Sequence, residues 1–381
     1  MRPDLILANA RLILKDSVIF GALCLQDGKI VEIEQGTSIP AGAIDCEKDF
    51  IAPGLVELHT DNLERHLSPR PETNWPHRAA ILAHDRELAA TGITTVFDAV
   101  RVGSIVSDRR KRLMKYAREI ATEISDMHRA GALKISHRLH LRAEICSETL
   151  IAELEEFSAE DRIGIVSMMD HTPGQRQFSD EAKFESYICA KHDLDKRDFS
   201  DYITFLKGLQ EEHATEHEAA AVAAAQRFGA RLASHDDTTA AQVALSHRHG
   251  VTLAEFPTTL EAAEACHGLG IATIMGAPNI VRGSSHSGNV AALELAQHDW
   301  LDILSSDYVP AGLLMAALIL GELWDDLPRG LATVTANPAR SAGLDDRGQI
   351  DLDQRADLIR FARVDGDTVL KETWVQGRRV A

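Results

Sequence analysis

His59 and Asp61 stand two residues apart at the end of an apolar run, Leu55-Val56-Glu57-Leu58-His59-Thr60-Asp61. On a strand, residues two apart share a face. An imidazole and a carboxylate then project together and can chelate one divalent cation. The pair alone is a weak signal, since such a spacing arises often by chance. It gains weight because four further apolar runs end in the same residue types. Leu139-His140-Leu141-Arg142-Ala143-Glu144 ends in a carboxylate and Met168-Met169-Asp170-His171 in an imidazole. Leu232-Ala233-Ser234-His235-Asp236-Asp237 ends in both, and Leu304-Ser305-Ser306-Asp307 in a carboxylate. Burying charged groups without partners is costly, so five such endings imply a shared partner, and a metal cluster supplies one. The expected ligands are His59, Asp61, Glu144, His171, His235 and Asp307. The competing reading is that these groups cap helices, for which Asp236 and Asp307 are suitable types. Two divalent ions make water a nucleophile at neutral pH by lowering its pKa. Asp307 is then expected to orient that water or take its proton.

A second candidate is the segment Met275 to Asn289, which joins glycines, Arg282, Ser284, Ser285, His286 and Ser287. Glycines allow close backbone approach, and a helix expected from Asn289 would present its positive end to an anion. Arg176, in Pro173-Gly174-Gln175-Arg176-Gln177, and Arg142, on one strand face with Glu144, are further guanidiniums suited to phosphate. The expected substrate contacts are therefore Arg142, Arg176, Arg282, Ser284, Ser285 and His286. The same composition also fits a flexible loop with Arg282 paired to a surface acid. Asp98, at the end of another apolar run, is expected to support the ligands. His128, His137, His192, His247, His249 and His298 read as solvated or satisfied by neighbours.

These side chains need a scaffold that gathers strand ends. Eight short apolar segments qualify as strands: 55–59, 94–98, 138–144, 163–170, 231–234, 253–256, 272–276 and 302–306. Amphipathic stretches separate them, at 79–90, 107–130, 147–156, 198–228, 238–249, 258–267, 289–297 and 310–324. Eight alternations predict an α/β fold, a (β/α)8 TIM-type barrel, whose functional residues lie at the C-terminal ends of its strands. Both chain ends instead alternate with a period of two and carry turn signals at Asp27-Gly28, Asp365-Gly366 and Gln376-Gly377. Residues 1–52 and 347–381 are therefore expected to form one small β-sandwich domain, with the barrel over 53–346. The polar then helical stretch 172–230 exceeds a minimal unit and is expected to serve as a lid or a homodimer surface.

Composition narrows the function classes. The chain has 381 residues, 45% of them hydrophobic, and a net charge of −18. That balance argues against nucleic acid or an anionic membrane as partner, although a local basic pocket still permits an anionic substrate. Five cysteines, Cys24, Cys46, Cys146, Cys189 and Cys266, form no CxxC pair, which fits a reducing, cytoplasmic setting. No secretory leader is visible at Met1–Ile6. The apolar run Ala311–Leu320 is about half a membrane span, so it reads as a buried helix.

At this point a resemblance becomes specific. Ala52-Pro53-Gly54-Leu55-Val56-Glu57-Leu58-His59-Thr60-Asp61 resembles the barrel opening of the amidohydrolase superfamily. More narrowly, the chain resembles the metal-dependent diphosphatases of the bacterial carbon–phosphorus lyase pathway. The matching blocks include His59-Thr60-Asp61-Asn62-Leu63-Glu64, Ser68-Pro69-Arg70-Pro71, His137-Arg138-Leu139-His140-Leu141-Arg142 and Met169 to Phe178. They continue through Ala233-Ser234-His235-Asp236-Asp237, Glu255-Phe256-Pro257-Thr258-Thr259, Gly276 to Gly283 and Ser305-Ser306-Asp307-Tyr308. The resemblance implies hydrolysis of α-D-ribose 1-methylphosphonate 5-triphosphate, a phosphorylated sugar phosphonate, to the 5-phosphate and diphosphate. It implies divalent metal ions, two in number, with zinc expected and manganese, nickel or magnesium as alternatives. Superfamily members commonly open with HxH; Asp61 in the second position makes the site more oxygen-rich and widens the choice of metal. No lysine ends a matching strand, so Glu144 is the expected bridging group. The superfamily motif alone would also suit an amidohydrolase acting on a cyclic amide, imide or nucleobase, or a silent scaffold on the same fold.

Overall fold

The computed structural model describes all residues except 1–2, 71–72, 108–114, 175, 177–195 and 286. Eight parallel strands run in sequential order: Leu55–Thr60, Ile93–Val102, Ser136–Glu144, Ile163–Met169, Arg231–His235, Leu253–Glu255, Ala272–Gly276 and Ile303–Ser305. We refer to them as barrel strands one to eight. Each coincides with one of the eight expected segments, so Glu144 lies on strand three, His171 just beyond strand four and His235 on strand five. The first and last strands do not share a full ladder. They meet through the Thr60–Asp307 bridge, with Asp61 N donating to Asp307 O (2.9 Å) and Asp307 N donating to His59 O (3.2 Å). Candidate site residues thus close the barrel.

Helices pack outside in the expected alternation. They include His77–Ala90, Ala117–Arg129, Ala240–Arg248, Leu260–Gly268 and Gly312–Leu323, with one of 33 residues over Lys196–Phe228. Thr239 and Thr259 cap two of them with side-chain oxygens on backbone N–H groups, which satisfies donors that a helix start leaves open. Inside the barrel, Val56, Leu58, Phe97, Ile165, Ala233, Leu253, Ile274 and Ile303 fill the space. Phe97 fits because residue 164 is glycine: a Cβ there would lie 2.2 Å from a Phe97 ring carbon.

The chain ends form a second, largely antiparallel sheet. Its strands are Leu5–Ile13, Val18–Gln26, Lys29–Gln35, Ile44–Asp45, Phe50–Pro53, Leu358–Val364, Asp367–Val375 and Arg378–Arg379. It wraps a core of Leu7, Leu12, Leu23, Leu25, Ile30, Ile51, Leu358 and Trp374, giving the β-sandwich part of the fold. Three expected turns are in place. Asp27 and Gly28 (φ 52° and 77°), Asp365 and Gly366 (52° and 94°), and Gln376 and Gly377 (49° and 70°) all take positive φ, as tight hairpins require.

One expectation about backbone needs correction. The segment after strand seven does not begin as an open loop but as a helix, Ala277–Arg282. Pro278 sits in its first turn, where a missing N–H is harmless, and Gly283 ends it in the left-handed region (φ 72°). The next helix starts at Ala292, not Asn289. Asn279 accounts for the delay, since its side chain donates to Val290 O and accepts from Ala292 N. Among the described residues, no helix is long and apolar enough to cross a membrane. Cys24, Cys46, Cys146 and Cys266 are free and buried; Cys189 and His192 lie outside the described residues.

Candidate metal centre

The strand ends gather three of the expected ligands, His59, His171 and His235, into two groups that share His235, with Asp61 and Glu144 beside them. In the first, a carboxylate holds two imidazoles. Glu255, at the end of strand six, lies 2.9 Å from His59 Nδ1 through Oε1 and 3.1 Å from His235 Nδ1 through Oε2. The two rings stack with centroids 5.6 Å apart. With Nδ1 engaged, each presents Nε2 to the mouth of the barrel. There Asp61 Oδ1 stands 3.9 Å from His59 Nε2 and Asp236 Oδ2 stands 3.3 Å from His235 Nε2. His59, His235 and Glu255 are close enough to hold one metal ion.

The second group comprises His171, His235 and Asp236. His171 Nδ1 meets Glu144 Oε2 at 2.5 Å, and its ring lies 5.9 Å from that of His235. Asp236 Oδ2 is buried and, despite its nearness to His235, has no hydrogen-bond partner. A buried carboxylate oxygen left so is costly, and the imidazole–carboxylate donor set around it suits a divalent cation. That orphaned oxygen shows that the residues present fit a metal. Neither Asp236 nor Asp307 caps a helix, since Thr239 and Ala311 occupy those positions; Asp61 stands at the N-cap of helix Asn62–Leu67, but its side chain makes no capping hydrogen bond.

The backbone at these ends is unusual. Asp236, Phe256 and Asp307 all adopt φ of 55°, the first two directly beyond strands five and six and the third two residues beyond strand eight. For a bulky residue such as Phe256 this region is unfavourable, and such strain gathers at functional sites. Its ring lies edge-on to His59 (5.0 Å) and His235 (5.4 Å), an apolar wall for both imidazoles. Asp307 points its carboxylate toward strand seven, where a Cβ on Gly276 would come within 3.6 Å of Oδ2.

The expected substrate contacts are distributed unequally. Arg142 Nη1 lies 2.6 Å from Asp61 Oδ1. Against the cost of burial, Arg142 holds the Asp61 carboxyl below its usual range. Arg176 Nη1 donates to His235 O (2.7 Å) and pairs with the buried Asp237 (2.8 Å), so part of this guanidinium fastens the end of strand five. Arg282 and Ser284 are exposed and Ser285 half-buried; His286 lies outside the described residues. Asp98 faces the outer wall of the barrel, against His84 of helix His77–Ala90, rather than the interior.

Four residues of the centre were not among the expected ligands. Glu255 and Asp236 obey the rule that found the others, since Leu253-Ala254-Glu255 is an apolar run ending in a carboxylate. His140 is fully buried below the imidazoles, bonded to Leu58 O (3.0 Å) and Ser167 Oγ (2.8 Å). Burial drives its pKa down to about 4, so it is neutral. Glu57 accepts from His59 N (2.7 Å) and Ser306 N (2.6 Å). Burial lifts its pKa to about 7 despite those bonds. No local signal marks either one.

No family model matches the chain. Over 381 residues it is 42% identical to the α-D-ribose 1-methylphosphonate 5-triphosphate diphosphatase of Escherichia coli (strain K12), covering 99% of this chain and 100% of that protein. Among solved structures, it is similar to 5-methylcytosine deaminase from Klebsiella pneumoniae, with a TM-score of 0.62, 18% identity and coverage of 99% and 98% of the two chains. It is also similar to N-isopropylammelide isopropylaminohydrolase from Burkholderia multivorans, at 0.62 and 15%, covering 98% and 97%. At such identities the structural likeness speaks for the fold alone, the amidohydrolase barrel with its β-sandwich.

Proposed function

The chain belongs to the family of α-D-ribose 1-methylphosphonate 5-triphosphate diphosphatases, and from that membership we propose how its own residues carry out the hydrolysis. The reaction turns the triphosphate into α-D-ribose 1-methylphosphonate 5-phosphate and diphosphate. The observation that carries the site assignment is the pair of donor groups sharing His235, with the orphaned Asp236 Oδ2 between imidazoles.

We assign two divalent ions to this centre. His59, Asp61 and Asp307 would hold one, and Glu144, His171 and His235, with Asp236, would hold the other. Mixed imidazole and carboxylate donors suit zinc, manganese or nickel better than magnesium. When bound, such ions lower the pKa of water and polarise phosphoryl oxygens. Glu255 keeps His59 and His235 in the tautomer that leaves Nε2 free, as outer carboxylates do for metal-binding histidines.

The remaining chemistry belongs to the chain. Asp307 takes a proton from the attacking water as its oxygen bonds to the α-phosphorus. The bond from that phosphorus to the α–β bridging oxygen breaks, and diphosphate leaves with the bridging oxygen. Arg142, beside Asp61, and Arg282, with Ser284, Ser285 and His286 nearby in sequence, bind and neutralise the triphosphate. Arg176 holds the end of strand five so that His235 keeps its aim.

The test is ³¹P NMR of the turnover in ¹⁸O-labelled water, with protein loaded in turn with zinc, manganese, nickel and magnesium. The label is expected on the 5-phosphate product, and Asp307→Asn is expected to abolish turnover. Label in the diphosphate would move the attack to the β-phosphorus. An intact triphosphate with every metal would refute the reaction for this chain.

A further inference from the structure

Outside the barrel, between strands two and three and helix His77–Ala90, lies a second set of buried titratable groups that the reaction does not use. His84, Asp85, Asp98 and His137 are each no more than 1% exposed. Their hydrogen bonds form one line. Asp85 accepts from Lys134 N (2.8 Å), Ile135 N (3.1 Å) and His137 Nε2 (3.2 Å). His137 Nδ1 donates to one oxygen of Asp98 (2.7 Å) and His84 Nε2 to the other (2.8 Å). His84 Nδ1 then accepts from Asn62 Nδ2 (3.0 Å). The same Asn62 amide also donates to Glu87 (3.0 Å), which takes His66 Nε2 (2.6 Å) and Arg65 as well.

The line has a single consistent set of protons. His137 faces two carboxylates and donates to both, so it is an imidazolium; the pull of Asp98 and Asp85 outweighs burial and carries its pKa up to about 9. His84 donates on one side and accepts on the other, so it is neutral, and burial lowers its pKa. His84, Asp98 and His137 also lie close enough to hold a metal ion. Every ring nitrogen already has a partner, however, which favours a hydrogen-bonded line over a metal site.

Its end point is the informative feature. Asn62 is 1% exposed and directly follows Asp61. The turn that carries His59 and Asp61 is tied on one side to the last strand, through Thr60 Oγ1 and Asp61 N, each 2.9 Å from Asp307 O. On the other side the Asn62 amide ties it to the outer wall. We propose that the line Asp85–His137–Asp98–His84–Asn62 is a positioning device that fixes the His59–Asp61 turn from outside the barrel and so sets the aim of the Asp61 carboxylate. None of its members touches substrate; His84 and Asn62 are positioning residues. The inference rests on the assignment of Asp61 to the metal centre.

The test compares His84→Leu, Asn62→Ala, their double variant and His84→Gln in full-length protein. Two quantities are read: zinc and manganese affinity by chelator competition, and amide hydrogen exchange at residues 61–63. His84→Leu and Asn62→Ala are each expected to weaken metal binding roughly 10- to 100-fold. The double variant is expected to be no weaker than the worse single one, since both break the same link. Exchange at 61–63 is expected to speed by roughly tenfold in each. His84→Gln, whose amide can donate to Asp98 and accept from Asn62, is expected to restore both readouts. Additive losses, or unchanged affinity and exchange, would overturn the proposal. So would loss of one tightly bound metal equivalent in the His84 variants with affinity at His59–His235 intact, since the cluster would then be a metal site itself. If His84→Leu does not fold, Asn62→Ala decides by the same two readouts. If the wild-type protein takes up no metal, the metal assignment fails by itself, and the exchange data still decide whether the line holds the turn.

Discussion

Replacing Glu255 by glutamine isolates the outer carboxylate of the metal centre. The side chain is 1% exposed and meets His59 Nδ1 at 2.9 Å and His235 Nδ1 at 3.1 Å. Glutamine keeps the volume but offers one acceptor and one donor group. One imidazole N–H keeps a partner and loses its charge assistance, at about 1 kcal/mol. The other N–H faces an NH2 group, and a buried unsatisfied donor costs about 1–3 kcal/mol. The sum, about 2–4 kcal/mol, falls on the metal-binding tautomers, which corresponds to a roughly 30- to 1000-fold loss of metal affinity. Chelator competition measures it directly, with circular dichroism checking that the fold persists. Metal affinity within about threefold of wild type would refute the assignment of Glu255 as the group that aims both histidines.

Other perturbations separate further roles. His137→Gln removes an imidazolium held between Asp98 and Asp85 and next to His84. Its pKa is raised from 6.5 to about 9, so its contribution, roughly 3 kcal/mol, is fully present below about pH 6.5 and lost as pH rises through about 9. Thermal melts of metal-stripped wild type and variant should therefore differ at pH 6 and converge above pH 9; a constant gap would contradict the charge assignment. Arg176→Ala leaves the buried Asp237 without its ion-pair partner, with only the Ser246 hydroxyl, among the described residues, still donating to its carboxylate, and should cost about 3 kcal/mol in urea unfolding. Arg282→Ala, at an exposed position, should leave stability within about 0.5 kcal/mol and raise KM instead. Gly164→Ala forces a Cβ to 2.2 Å from Phe97, so unfolding should shift by at least about 1–3 kcal/mol, with partial recovery in the Gly164→Ala/Phe97→Leu pair.

The barrel was legible because each strand is a short apolar run bounded by turn or cap residues, and eight of them alternate with helical periodicity. The hairpins at Asp27-Gly28, Asp365-Gly366 and Gln376-Gly377 were legible for the same local reason, as their residues accept the positive φ that such turns need. The helix Ala277–Arg282 was not. The glycines and serines that flank it, Gly276, Gly283, Ser284 and Ser285, look like a loop, while Pro278 in the first turn and the distant clasp from Asn279 to Ala292 decide otherwise.

For the centre itself, the sequence alone determined which residue types end the strands, because an apolar run that stops at an imidazole or carboxylate is a local pattern. It marked His59, Asp61, Glu144, His171, His235 and Asp307 as candidates in that way, and contained Glu255 by the same rule. Only the tertiary structure decided which of them meet. Glu255 joins two histidines 196 and 20 residues away, and Arg142 finds Asp61 across 81 residues. It also turned Asp98 outward and threaded His137, His84 and Asn62 into one buried line. Partnership of this kind is set by strand register and barrel closure, which bring distant strands side by side, and no spacing within one segment encodes it.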